Sequence, residues 1–293
     1  MIPVSRLIVR HAHQLAHEIK AQAVLVSADA VVGDEELQHL LDTVDYRTIL
    51  VTRLPRDTPP FPCQDCFQVS VPRVHMTRPG LVKAALLSCL AQGILKTGDR
   101  VVCLTGLDGS QSMDTLVVLD LGTEPEVLSM AGGFPLPEGV RFEVFERAFA
   151  LATQLAVEGR EGRPVGLIFV LGDSDQVLAQ SRPLVLNPFH GYSEAERNIL
   201  DLALEETIKE YSALDGAFVI QGNGVLLSAG VQLIPREQPT PLPKGLGTRH
   251  AAAGITASTK AVAIVVSQST GTLILFQGGR MVTEIPRASN ETR

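Results

Sequence analysis

Short runs of β-branched and aliphatic residues recur along the chain between segments with helical spacing, and this alternation sets the fold class. Ala23–Ser27 (AVLVS), Arg47–Arg53 (RTILVTR), Arg100–Thr105 (RVVCLT) and Thr115–Leu121 (TLVVLDL) each have the length and composition of a strand. Between them, residues 7–20 read as an amphipathic helix, Asp34–Val44 places Leu37, Leu40, Leu41 and Val44 on one face, and residues 80–93 are helical. Strands that are apolar throughout, separated by helices, predict an α/β unit with a mostly parallel sheet flanked by helices.

The run Ala131–Gly139 (AGGFPLPEG) breaks this pattern with glycines and prolines, so residues 1–130 and 140–293 read as two domains joined by a linker at 131–139. Beyond it, Val140–Glu158 is helical, with Val144, Ala148, Leu151 and Leu155 in periodic positions, and EGREGRP stops it. Gly166–Leu171 (GLIFVL) is a strand. Ser193–Glu196 has the spacing of a capping box ahead of the stripe Leu200, Leu204, Ile208 and Tyr211, which predicts a helix there. Ala217–Gln221 and Val225–Ser228 flank Gly222–Asn223–Gly224, a hairpin signature. A proline-rich loop at 235–247, a small-residue helix over Thr248–Thr256, and strands at Ala261–Ser267 and Thr272–Gln277 complete the chain.

Composition excludes several classes. Of 293 residues, 45% are hydrophobic, Trp is absent and aromatics are 4%, so the core is aliphatic and the chain is not disordered. The net charge of -7 argues against a nucleic-acid partner. No apolar run reaches the ~20 residues of a membrane span and the N-terminus has no signal-peptide core, which reads as a cytoplasmic protein. Cys63 and Cys66 form one CxxC pair; a structural zinc site needs two, so reduced loop thiols are expected. His13 and His17 lack the glutamate of an HExxH register, and metal binding is not expected there.

Two segments carry candidate chemistry. Asp215–Gly216–Ala217 puts a carboxylate at a strand mouth, where it could hold Mg²⁺ or Mn²⁺ or activate a hydroxyl; the plainer alternative is a turn aspartate bonding its own backbone. Gly216 allows close approach of backbone to a ligand. Gly245–Ala251 (GLGTRHA) leads glycines into a helix start, where free N–H groups and the helix dipole attract anions. Gly247 and Thr248 sit at that tip, and Arg249 and His250 add a cationic fork and a second donor. The plainer alternative is a loop entering an ordinary helix. Neither a Walker A lysine motif nor GxGxxG occurs.

Taken in order, DGAFVIQGNGVLLSAGVQLIP, GLGTRHAAAGIT and AVAIVVSQSTGTL resemble the diadenylate cyclase (DAC) domain, which also forms the N-terminal part of the DNA-integrity-scanning protein. That family carries a DGA, a GTRHR and a VVSEETG at about this spacing, and the likeness covers roughly residues 160–285. PVGLIFVLGD and NPFHGY are similar to the archaeal-type subgroup. More weakly, GILKTGDRVVCLTG in the N-terminal half resembles the C-terminal domain of pyruvate kinase, without its kinase site.

The resemblance implies a second domain built on a mixed, twisted sheet surrounded by helices. It implies that two ATP molecules, held by facing DAC domains of a homo-oligomer, condense to cyclic di-AMP and two pyrophosphates with Mn²⁺ or Mg²⁺. Asp215 would be the metal ligand and a catalytic residue, with Arg249 and His250. Gly216, Ala217, Leu233, Gly247, Thr248 and Ser267 would bind the nucleotide. This chain departs from the pattern at two positions: the second arginine of GTRHR is Ala251, and the acidic residue after the strand serine is Gln268. Arg236, Lys244 and Lys260 are cations in the same stretch that could compensate. These departures keep a second expectation open, a weak or inactive nucleotide-binding sensor of the same fold.

Overall fold

The computed structural model describes residues 4–28, 46–53, 66–106, 112–123, 134–236 and 247–287. The chain forms two compact units, Met1–Phe134 and Pro135–Arg293. Asp34–Val44, the proline-rich loops and Cys63 lie wholly or largely outside the described residues.

In the first unit, β1 (Ala23–Ser27), β2 (Arg47–Thr52), β3 (Cys66–Ser70), β4 (Arg100–Thr105) and β5 (Thr115–Asp120) form one sheet in the order β3-β2-β1-β4-β5. All neighbours are parallel except β4 and β5, the mostly parallel sheet that the strand–helix alternation predicts. Helix α1 (Val4–Glu18) buries Val9, Ala12 and Ala16 against Val24, Val26, Leu50, Val102 and Leu104. Strand side chains alternate, so Cys103 points to the other face, where Cys89 of helix α2 (Arg78–Ala91) lies close enough for the two thiols to interact. Burial then pushes the Cys89 thiol pKa up, which keeps it protonated and inert. Thr77 caps α2, its Oγ1 accepting from Gly80 N at 3.2 Å, with a proline in the first turn.

Strand β3 is absent from the sequence reading. CFQVS is an edge strand whose residues are mostly part-exposed, so it lacks the continuous apolar run of β1 and β4. Cys66, at its start, is disulfide-bonded rather than the reduced thiol the sequence predicts.

The second unit contains α3 (Phe142–Glu158), β6 (Leu167–Leu171), α4 (Ser174–Leu178), β7 (Ser181–Pro183), α5 (Glu205–Tyr211), β8 (Ala217–Ile220), β9 (Leu226–Leu233), α6 (Gly247–Ser258), β10 (Val262–Val266), β11 (Leu273–Gln277) and β12 (Arg280–Ile285). Its seven strands run β12-β11-β10-β6-β8-β9-β7. Only β6 and β8 pair in parallel, so the sheet is mixed. Helix α6 buries Ala252, Ala253 and Ile255 against Ile168, Val170, Ala217, Val219, Ala263 and Val265. The alternate residues Phe169 and Phe218 meet edge-on at 5.2 Å, and α3 packs against β6, β10 and β11.

The capping box forms, but not on the expected helix. Ser193 N and Oγ both donate to Glu196 Oε2, at 2.9 and 2.7 Å. The backbone after it is then drawn to the β8–β9 turn: Ile199 N donates to Gly224 O and Leu226 N to Arg197 O. Those bonds replace i→i−4 pairing, so helical structure begins only with a 3₁₀ turn at Leu202–Leu204 that leads into α5. Capping chemistry is local; a competing strand-like pairing decides whether a helix grows from it.

Candidate active site

A cleft of about 1110 Å³ opens where β8 begins and α6 starts, at the upper end of the size of small-molecule sites, about 300–1,000 Å³. Asp215 and Gly216 enter β8 at its rim. Gly216 has φ 109°, and a Cβ there would lie 2.7 Å from Val231 O and 2.8 Å from Val231 N. Only glycine lets the chain pass this close to β9. Asp215 is exposed, and among the described residues its carboxylate makes no hydrogen bond, so the turn-aspartate alternative is not what the structure shows.

The first turn of α6 reaches the same cleft. Gly247, Thr248, His250 and Ala251 line the cleft, and the first N–H groups of the helix have no intrahelical acceptor. Leu233, buried on β9, gives the cleft an apolar wall, next to Ala217 and Val231. Seven expected residues thus meet in one place: Asp215, Gly216, Ala217, Leu233, Gly247, Thr248 and His250.

Two do not join them. Arg249 points away: its Nη2 donates to Glu284 Oε1 on β12 at 3.1 Å. The helical step of about 100° per residue puts positions 247, 248 and 251 on one face and turns 249 to the other. Arg249 therefore pins α6 to the sheet. Ser267 follows the end of β10 and lines a separate hollow of about 60 Å³. Its hydroxyl lies 3.3 Å from Ser269 Oγ, and the alternation of side chains brings Gln268 to the cleft instead.

Sequence reasoning missed the cleft's own arginines. Arg160 and Arg163 both line it and face each other across a two-residue turn, each N donating to the other's O at 2.9 Å. Glu161 (φ 48°) and Gly162 (φ 74°) give that turn two positive φ values, as a type I′ turn requires. Arg160 donates from Nη1 to Glu206 Oε2 at 2.8 Å and from Nη2 to Glu210. These bonds raise its pKa further, and the Arg160 guanidinium holds the Glu206 carboxyl below the usual carboxylate range. The signal was EGREGRP, which also serves as a plain helix stop. Arg236 and Lys260 do not line the cleft, and Lys244 lies outside the described residues.

Among the described residues no group of three or more His, Cys, Asp or Glu side chains forms a metal cage. Asp215 offers one unengaged carboxylate. That donor set does not fit an all-protein calcium site but does fit Mg²⁺ or Mn²⁺, which bind through one or two carboxylates plus substrate phosphates.

Comparison with known proteins places this arrangement. A family model described as "DAC: DisA bacterial checkpoint controller nucleotide-binding" matches residues 154–281, and one described as "Probable sensor domain DacZ_P" matches residues 5–128, where the sequence resembles the pyruvate kinase domain. The chain is similar to a diadenylate cyclase from Methanocaldococcus jannaschii, 29% identical over 98% of both chains. It is also similar to one from Haloferax volcanii, 36% identical over 70% of this chain and 74% of that one. A crystal structure of DacA from Staphylococcus aureus is 22% identical, covers 51% of this chain and 89% of that one, and has a TM-score of 0.35. Among the described residues no helix is long and apolar enough to cross a membrane. With the DGA rim and the tip of α6 lining one cleft, and a diadenylate cyclase 36% identical to it matched over 74% of that protein's length, the chain belongs to the diadenylate cyclase family of nucleotidyltransferases.

Proposed function

We propose that this protein condenses two ATP molecules into cyclic di-AMP and two pyrophosphates, each cleft holding one ATP and facing the cleft of a second copy. The observation that carries the reading is that Asp215, the first turn of α6 and the apolar Leu233 and Ala217 line one cleft. Leu233 and Ala217 would pack the adenine, with Gly216 leaving the backbone clear for it. Thr248, His250 and the Gly247 turn would hold the phosphates by charge-assisted and backbone hydrogen bonds.

In the reaction the 3′-hydroxyl oxygen of one ATP would attack the α-phosphorus of the other, its proton passing to Asp215 or to water while that phosphorus loses its bond to the pyrophosphate oxygen, and a second displacement with the two nucleotides' roles exchanged would close the ring. Such a transfer needs alignment and charge neutralisation more than covalent help. Asp215 would hold Mn²⁺ or Mg²⁺, and the metal would supply charge neutralisation at the α-phosphate. Arg249 acts here by fixing the tilt of α6 through Glu284, and Ser267 by closing the turn after β10.

Purified protein incubated with ATP and either metal should yield cyclic di-AMP and pyrophosphate. Asp215→Asn should lower the rate by a factor of about 10²–10³ or more while the circular dichroism spectrum stays unchanged. Absence of product from the wild type with both metals, across a range of protein concentrations, would overturn the reading.

One observation favours a second reading, a nucleotide sensor with little turnover. Ala251 and Gln268, the two departures from the family pattern, both line the cleft, so the charges they omit are missing where the phosphates would lie. Calorimetric ATP binding without product would support it.

A further inference from the structure

We propose that Arg163 is a phosphate-binding residue of this cleft and supplies the cation that Ala251 omits. The inference rests on the reading of the cleft as an ATP site and adds a residue to it from outside the family's motifs.

Arg160 and Arg163 are directly opposed across the narrowest kind of hairpin, and their backbones exchange both hydrogen bonds. Directly opposed like charges are unfavourable on a ribbon, and an acidic partner or an anionic ligand relieves that repulsion. Arg160 has two acidic partners, Glu206 and Glu210. Among the described residues Arg163 has none, and it is exposed. The asymmetry leaves one guanidinium of the pair neutralised and the other available.

The surroundings hold that guanidinium at the cleft. Gly159 ends α3 at φ 66°, and a Cβ there would come within 2.2 Å of Arg163 O, so the backbone at Arg163 is packed against the helix end. The segment that leads into β6, Pro164–Val165–Gly166, runs along the same cleft. Gln268 donates from Nε2 to Pro164 O at 3.4 Å, and a Cβ on Gly166 would lie 3.2 Å from Gln268 Cβ. Arg163 and Gln268 are therefore neighbours on one wall, and Ala251 lines the same cleft from α6. The cleft that has lost a cation at position 251 gains one from a segment that sequence motifs do not cover. An arginine suits the task, since its planar fork matches two phosphate oxygens at once.

The test uses the full chain. Calorimetry measures ATP and adenosine binding to the wild type, Arg163→Ala and Arg163→Lys, and product assays give kcat and KM. Arg163→Ala should weaken ATP binding and raise KM by about 10- to 100-fold, the worth of a charge-assisted hydrogen bond, while adenosine binding stays as in the wild type. Arg163→Lys should recover part of the loss, and adding Ala251→Arg to Arg163→Ala should restore ATP affinity. Wild-type ATP affinity retained in Arg163→Ala, or adenosine binding lost together with ATP binding, would overturn the proposal. A wild type that binds no ATP would overturn the reading of the cleft itself, a different and separable failure.

Discussion

At the scale of single residues, two glycines at the cleft show how geometry separates constraint from composition. Gly216 has φ 109° and no room for a Cβ between Val231 and Gly230. Gly247 has nothing within 4 Å and no positive φ. Gly216→Ala should therefore destabilise the second unit by about 1–3 kcal/mol, read as a lower denaturant midpoint, and close the rim so that ATP binding falls. Gly247→Ala should not lower the midpoint, since nothing crowds that position and alanine has the higher helix propensity. Equal midpoints for the two variants would contradict this account of Gly216. The sequence marks both as glycines beside motifs; only the fold says which one the backbone requires. Asp215 was legible because aspartate is rare at the mouth of an apolar strand. The place of Arg163 at the cleft was not, because EGREGRP also reads as a plain helix stop.

The elements were legible wherever burial leaves a continuous pattern. Strands β1, β4, β6 and β10 follow the apolar runs within a residue or two, since each is buried on both faces. The losses are short or exposed: β3 and β7 at sheet edges, α4 with five residues, and β12, an edge strand interrupted by Arg280, Thr283 and Glu284. The stripe through Leu200 and Leu204 misled for a different reason, because hairpin pairing by residues 197–199 overrides a helical period. What α5 does instead is anchor charge. Lys209 and Arg147 both bond Glu205, and Arg160 and Lys209 bond Glu206. The Lys209 ammonium, with Arg147, holds the Glu205 carboxyl below its ordinary value of 4.5, and Arg160 does the same for Glu206. A folded pKa below the unfolded one contributes stability above the unfolded value and loses it as pH falls through the folded one. The denaturant midpoint should be flat from about pH 7 to about pH 5 and fall below about pH 4.5. Glu205→Gln with Glu206→Gln should make that acid limb shallower, and high salt should too, because these pairs are partly exposed. A limb unaltered in the double variant would show that other carboxylates set it.

For the whole molecule, the feature that matters is that each copy brings one Asp215 and one α6 tip to its cleft. A cyclic dinucleotide has two phosphodiester bonds, each joining the 3′-oxygen of one nucleoside to the phosphorus of the other. If the two ATP molecules sit in facing copies, both bonds require two intact clefts. A pair with one Asp215→Asn subunit would then make no closed product, however well its partner works. Coexpression of wild type and Asp215→Asn in equal amounts, with free exchange before pairing, makes about one pair in four fully wild type by random association of a two-fold dimer. Specific activity should fall to about a quarter of the wild-type value, and dilution of the wild type should lower it further as pairs separate. Independent clefts would instead give about a half, with no dependence on protein concentration. That difference separates a cyclase working across two copies from one that completes its product within a single chain, and mass analysis of the mixture for a linear dinucleotide would show whether hybrid pairs stop after the first bond.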